Sequence, residues 1–174
     1  MTCVNCNRRG VTIKTTIGFQ LPANQAELEA VFGKFAFHHL TEPLGSIEID
    51  APWPAKNIVA IHHPILPRQV EIHRFIAGPF RDAISRIAYA CPDYKIVTCT
   101  GFVPRHKMHD PAKGLSLHSW GAAFDLNPST NKYGQRDHDL PETLIKIFEE
   151  RGFEWGGRWS TPDPMHFQAA KGGA

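Results

Sequence analysis

No uninterrupted apolar run of about 18 residues occurs in this chain, the length a membrane-spanning helix needs, so no membrane span is expected. Charge of one sign is also lacking. Nineteen Lys and Arg stand against 17 Asp and Glu, the formal net charge is +2, and the basic residues are scattered. That excludes the concentrated basic face of a nucleic-acid binder. Internal repeats, low-complexity segments and linkers are absent, which argues for one domain over residues 1–174 and against coiled-coil, collagen-like or disordered chains. The start, Met1-Thr-Cys-Val-Asn-Cys-Asn-Arg-Arg9, has no apolar stretch, so it is not read as a secretory signal peptide. Synthesis for the cytoplasm, with reduced thiols, is the expectation.

Cysteine is scarce as well: Cys3, Cys6, Cys91 and Cys99. Cys3-x-x-Cys6 has the spacing of half a structural zinc site, but Cys91 and Cys99, separated by seven residues, complete no standard knuckle. Cys99 lies in a strand-like run and is read as a free buried thiol.

What the chain does have is the composition of a soluble globular protein, 42% hydrophobic and 21% charged, and an excess of histidine, ten residues. Asn24 followed by Glu27 reads as a capping box opening a helix to about His38, with Leu28, Val31, Phe32 and Phe35 on one stripe. Strand-like runs follow at Asn57–His62 and Gln69–Phe75. The later pattern gives a helix at Pro79–Ala90, strands at Tyr94–Thr100 and Ala122–Leu126, a helix at Pro141–Arg151 and a last strand at Met165–Gln168. Strands and helices do not alternate as βαβ units, so the expected class is α+β with a largely antiparallel sheet flanked by helices. Residues 101–117 and 128–140 are longer than ordinary connections and are read as the rim of a cleft.

Between those loops lies Ser116-Leu-His118-Ser-Trp-Gly121-Ala-Ala-Phe-Asp125-Leu-Asn127. On one continuous helix His118 and Asp125 would sit about 10 Å apart, too far to share an ion. If Gly121 breaks the chain and Ala122–Leu126 is a strand, they converge, with Phe124 and Leu126 in the core and Asp125 on the other face. A carboxylate so placed needs a partner, and a metal ion would supply one. The second half is Trp155-Gly156-Gly157-Arg-Trp-Ser-Thr-Pro-Asp163-Pro-Met-His166-Phe167. Two histidines and one carboxylate are the three protein ligands of a catalytic zinc, with the fourth position open. Asp163 is then the free carboxylate available as a general base. His38 and His39 are expected to close the first helix. His106 and His109 are read as spectators on the Arg105 loop, and Trp53, Trp120 and Trp155 as packing residues.

The two-part pattern Ser116-x-His118-x-x-Gly121-x-Ala123-x-Asp125, then Trp155-Gly-Gly and Asp163-x-x-His166-Phe, resembles the zinc peptidases that cut peptidoglycan stem peptides. These include D-alanyl-D-alanine carboxypeptidases and dipeptidases, and the L-alanyl-D-glutamate endopeptidases of phage endolysins. The resemblance runs from about Val97 to Phe167 and implies an α+β fold of the DD-peptidase and Hedgehog kind, with a catalytic core at 94–170. It implies one catalytic Zn2+ held by His118, Asp125 and His166, Asp163 as catalytic acid/base, and Arg105 and Ser116 facing the substrate. Many relatives carry Glu at the position of Asp163, and the shorter acid is typical of the endopeptidase branch. The partner implied is a peptidoglycan peptide, met in the cell wall if the chain is an endolysin, by a monomer. Two alternatives stand beside it: a D-Ala-D-Ala carboxypeptidase or dipeptidase, and a non-catalytic zinc-containing binding domain, in which Asp163 would have no use. Residues 1–90 carry no resemblance and contribute fold.

Overall fold

The computed structural model describes residues 16–172. The Cys3–Cys6 pair and the start of the chain, read above as no signal peptide, lie outside the described residues. The fold is α+β, built from antiparallel ladders only among the described strands. The expected single sheet is divided, however, into one four-stranded sheet and two two-stranded ones.

Helix α1 spans Gln25–Phe32 and opens as the capping box requires. Asn24 Oδ1 accepts the Glu27 N–H at 3.0 Å, and the Glu27 carboxylate takes the Ala23 N–H at 2.8 Å. The helix stops six residues short of His38. Gly33 N–H closes the last turn on Glu29 O, and the chain continues as strand β1, Phe37–His39, paired with β2, Ile47–Ile49. His38 and His39 therefore lie on a strand, not at a helix end. Phe35 mimics helical spacing because it packs on Trp53 and Trp120, 4.8 Å away from each ring, and not because the helix reaches it.

A short helix α2, Pro52–Asn57, precedes the hairpin of β3, Ile58–Ile61, and β4, Val70–His73. Helix α3 then runs over Arg74–Ala90 and begins five residues before Pro79, where the sequence placed its start. The buried His73 ring supplies the cap: its Nδ1 accepts the Phe75 N–H at 3.2 Å while its Nε2–H donates to Phe32 O at 3.2 Å. Pro79, lacking an N–H, sits inside the helix on its buried face.

The main sheet has the order β5–β6–β8–β7, with β5 at Cys99–Thr100, β6 at Ala123–Leu126, β7 at Glu154–Trp155 and β8 at His166–Gln168. The expected strand at Tyr94–Thr100 reduces to its last two residues. The Asn127 amide replaces the ladder there, accepting from Val97 N and Thr98 N and donating to Lys95 O and the Tyr94 hydroxyl. Helix α4, Glu142–Glu149, and α3 cover one face of this sheet. Phe80, Phe124, Phe148, Phe153 and Phe167 interlock between them, and Phe124 stacks on Phe167 at 5.5 Å. Arg151 ties α4 to α3 through Asp82 at 3.0 Å. One apolar cluster extends from Leu28 to Ala170, so the described residues before Cys91 share one core with those after it. Cys99 is buried and free, and Cys91 is also a free thiol.

Candidate metal centre

Three local events bring the predicted residues together. Ser116 caps a 3-10 turn, Leu117–Trp120, by accepting the His118 N–H on its hydroxyl at 3.4 Å. Gly121 then takes φ +62°, a conformation costly for any residue with a side chain, and a Cβ there would press on His73 N at 2.8 Å. The chain leaves this corner as β6. In the antiparallel register of β6 with β8, Asp125 lies directly opposite His166, so both side chains project from one face. Phe124 and Leu126 point the other way and are fully buried, as the alternation demands.

The outcome is a compact cluster. Donor atoms of His118, Asp125 and His166 lie within 4.8 Å of one another and could hold a metal ion. Asp125 Oδ2 is 3.2 Å from His118 Nε2, and Asp125 Oδ1 is 2.9 Å from His166 Nδ1. The outer hydrogen bonds decide what those short distances mean. His118 Nδ1–H donates to Gly101 O at 2.7 Å, and His166 Nε2–H donates to Gln168 Oε1 at 3.1 Å. Each neutral ring therefore turns a bare nitrogen lone pair toward the same carboxylate. Lone pairs facing a carboxylate repel unless a cation or added protons stand between them. This is the pattern by which proteins orient imidazole ligands on a metal. Burial pushes the Asp125 carboxyl up, but positive charge and N–H donors on the two rings, present when no metal takes their lone pairs, outweigh it and hold the group far below the usual carboxylate range. Burial likewise works against a charged His166, yet Asp125 and Asp163 raise its pKa overall.

Asp163 stands beside this cluster without joining it. Its Oδ1 is buried and has no hydrogen-bond partner, as is also true of His118 Nε2. Burial raises its pKa, opposed by His166 and reinforced by Asp125. The Trp155-Gly-Gly stretch is what seats it. Gly156 O accepts the Asp163 N–H at 2.9 Å, and a Cβ on Gly156 would lie 2.7 Å from Asp163 O. Trp155 Nε1–H donates to Pro164 O at 2.8 Å, which makes this tryptophan a packing residue. Trp120 does the same with Gly33 O at 3.0 Å.

A cleft of about 700 Å³ opens over the cluster. Arg105, Ser116, His118, Asp125, Asp163 and His166 all line it, so every predicted site residue borders one cavity. The two long loops contribute unequally: the 101–117 loop forms a wall, whereas Tyr133 is the lining residue from 128–140. His118 and His166 are buried and Asp125 nearly so, and Arg105 lines the same cleft. Sequence reasoning missed the residues that fix the others. Ser119 Oγ accepts the Arg105 N–H and donates to Arg105 O, both at 2.9 Å, and Gly101 and Gln168 set the two histidine tautomers. His106 is not a spectator either. It is buried, stacks on His39 at 5.1 Å and meets its Nε2 at 3.0 Å, fastening β1 to the Arg105 segment.

Two imidazoles and a carboxylate on an open cleft, with a free acid alongside, are a donor set that could hold a metal ion and leave a coordination position facing the cleft. Residues 110–169 match the family described as D-alanyl-D-alanine carboxypeptidase, a family of zinc peptidases. That segment holds His118, Asp125, Asp163 and His166 and bears out the resemblance read from the same motifs, while Arg105 lies before it. No curated protein and no solved structure matches the chain.

Proposed function

We propose that this protein is a zinc-dependent peptidase of peptidoglycan stem peptides, cutting the L-alanyl-D-glutamate bond as an endolysin-type endopeptidase. The observation that carries the reading is the buried, unpartnered Asp163 carboxylate oxygen beside a His–Asp–His cluster whose two bare nitrogens face one acid. A structural site would have no use for that extra acid.

His118 Nε2, Asp125 and His166 Nδ1 would hold the ion, which when bound supplies Lewis acidity to an amide carbonyl and lowers the pKa of water. Asp163 accepts a proton from the attacking water at Oδ1 and returns it to the leaving nitrogen. Its burial raises the carboxyl pKa and so strengthens it as a base. Arg105, pinned by Ser119 through both backbone groups, presents its guanidinium to a substrate carboxylate. Ser116 holds the turn that carries His118 and borders the same cleft.

The name of the matching family favours a second reading, a D-alanyl-D-alanine carboxypeptidase. Both substrates offer Arg105 a carboxylate, the chain terminus in one and the α-carboxylate of γ-linked D-Glu in the other. Digestion of purified cell wall separates them: new N-terminal D-Glu is expected, and released D-Ala would instead establish the carboxypeptidase. In the same assay Asp163→Asn should keep about one zinc per chain and lose turnover by roughly 100-fold or more. Hydrolysis by that variant at the parent rate would refute Asp163 as the base.

A further inference from the structure

The cleft carries more positive charge than the proposed reaction uses. Arg105, Lys107 and Lys113 all line it. None has a carboxylate partner among the described residues, unlike Arg151 and Arg158, which are paired with Asp82 and Glu149. Arg105 gives one N–H to His106 O at 3.3 Å and keeps the rest of its fork free. The two lysines are held on one tight excursion of the chain. Lys107 N–H bonds Gly114 O at 3.0 Å, Asp110 N–H bonds Lys107 O at 3.1 Å, and Lys113 N–H bonds Asp110 O at 2.9 Å. The acid within this excursion, Asp110, is turned away and accepts the Ala112 N–H at 3.0 Å. Burial lowers the pKa of Lys107, the mark of an ammonium partly stripped of water and given no counter-charge in exchange.

Desolvating a cation without pairing it costs free energy, and a ligand carboxylate recovers it. The proposed substrate already brings one carboxylate to Arg105. Residues of stem peptides differ at the third position, where some walls carry lysine and others a diamino acid with a second free carboxylate. We infer that Lys107 and Lys113 form a subsite for that second carboxylate and select stem peptides bearing a diamino diacid over those bearing lysine. This rests on the endopeptidase reading, in which the third residue directly follows the D-Glu whose carboxylate Arg105 holds.

The test uses three synthetic stem peptides identical except at the third residue: the free diamino diacid, the same residue with its side-chain carboxyl amidated, and lysine. The zinc-loaded parent should cleave the free diacid with kcat/KM about three- to tenfold above the other two, as two partly exposed charge pairs would give. The gain should appear in KM and shrink at high salt. Replacing both lysines (Lys107→Gln with Lys113→Gln) should level the three substrates. Lys113→Gln alone, at an exposed position where folding is not at stake, should remove part of the preference. Equal cleavage of all three by the parent, or a preference that survives the double replacement, would overturn the subsite while leaving the peptidase intact. Failure of the zinc-loaded parent to cleave any of them would overturn the peptidase reading and the subsite together.

Discussion

A histidine becomes a metal ligand through the proton on its far nitrogen, and Gln168 controls that proton in His166. Its Oε1 accepts the Nε2–H, while its own amide donates to Ala170 O and Gly172 O, which fixes which end of the side chain faces the ring. Gln168→Leu keeps comparable volume and removes the acceptor. The Nε2–H would then be buried without a partner, and the tautomer with the proton on Nδ1, useless toward a metal, would compete. Zinc affinity, read by chelator competition, should fall about 10- to 100-fold, the usual loss when an outer partner of a ligand histidine is removed. Unchanged affinity would mean that Asp125 alone orients the ring. The cluster residues were legible in sequence because His118, Asp125, Asp163 and His166 recur at motif spacing. Gln168, Gly101 and Ser119 were not, since an ordinary glutamine, glycine or serine acquires its role only when a distant backbone or ring arrives beside it.

The elements that orient the cleft wall lie in the part of the chain that no motif marks. The β1–β2 hairpin grips the Arg105 segment at successive points: Ile47 N–H bonds Pro104 O at 3.2 Å, His106 N–H bonds Gly45 O at 2.8 Å, and Ser46 bridges Arg105. Gly45 makes the approach feasible. Its φ is +74°, and a Cβ there would fall 2.4 Å from the His109 backbone carbonyl. Gly45→Ala should therefore push the hairpin off the loop, costing about 1–3 kcal/mol in strain and displacing Arg105. The expected kinetic signature is a raised KM with a smaller change in kcat, since Asp163 is seated by Gly156, just ahead of β8, and not by the hairpin. A loss confined to kcat would show that the hairpin does not position substrate. Sequence periodicity could not reveal this arrangement. Strands of three residues are too short to show alternation, and Phe35 continued the helical stripe for reasons of tertiary packing. Helix α3 was misplaced in the same way: the sequence offered Pro79 as a start, whereas the cap is a histidine ring already fixed by β4.

At the scale of the whole molecule, that histidine couples folding to pH. Burial lowers the His73 pKa from 6.5 to about 4, opposed by its bond to Phe32 O and assisted by Arg74. In the unfolded chain the ring is free to titrate near 6.5. Between these values the unfolded state binds the extra proton and the folded state does not, so stability falls as pH drops from about 6.5 to about 4 and levels off below. The loss is about 3.5 kcal/mol at most, because a difference of one in pKa corresponds to about 1.4 kcal/mol. Protonation also removes the Nδ1 lone pair that caps α3 and sets a second cation beside Arg74. The metal cluster works in other windows. In metal-free protein His166, with its raised pKa, adds stability as pH falls toward 6.5 and is fully protonated in both states below that, whereas Asp125, held low, loses its contribution only beneath about pH 4. Chelator-treated protein melted across pH 7 to 4 should thus lose stability mainly between 6.5 and 4. His73→Asn, which retains a capping oxygen but no titrating ring, should be less stable at pH 7 yet nearly flat across that interval. With zinc bound the fall should be steeper than in the chelated protein, because protonation of His118 and His166 also releases the ion. A parent curve as flat as that of the variant would place the acid sensitivity of this fold outside the joint between β4 and α3.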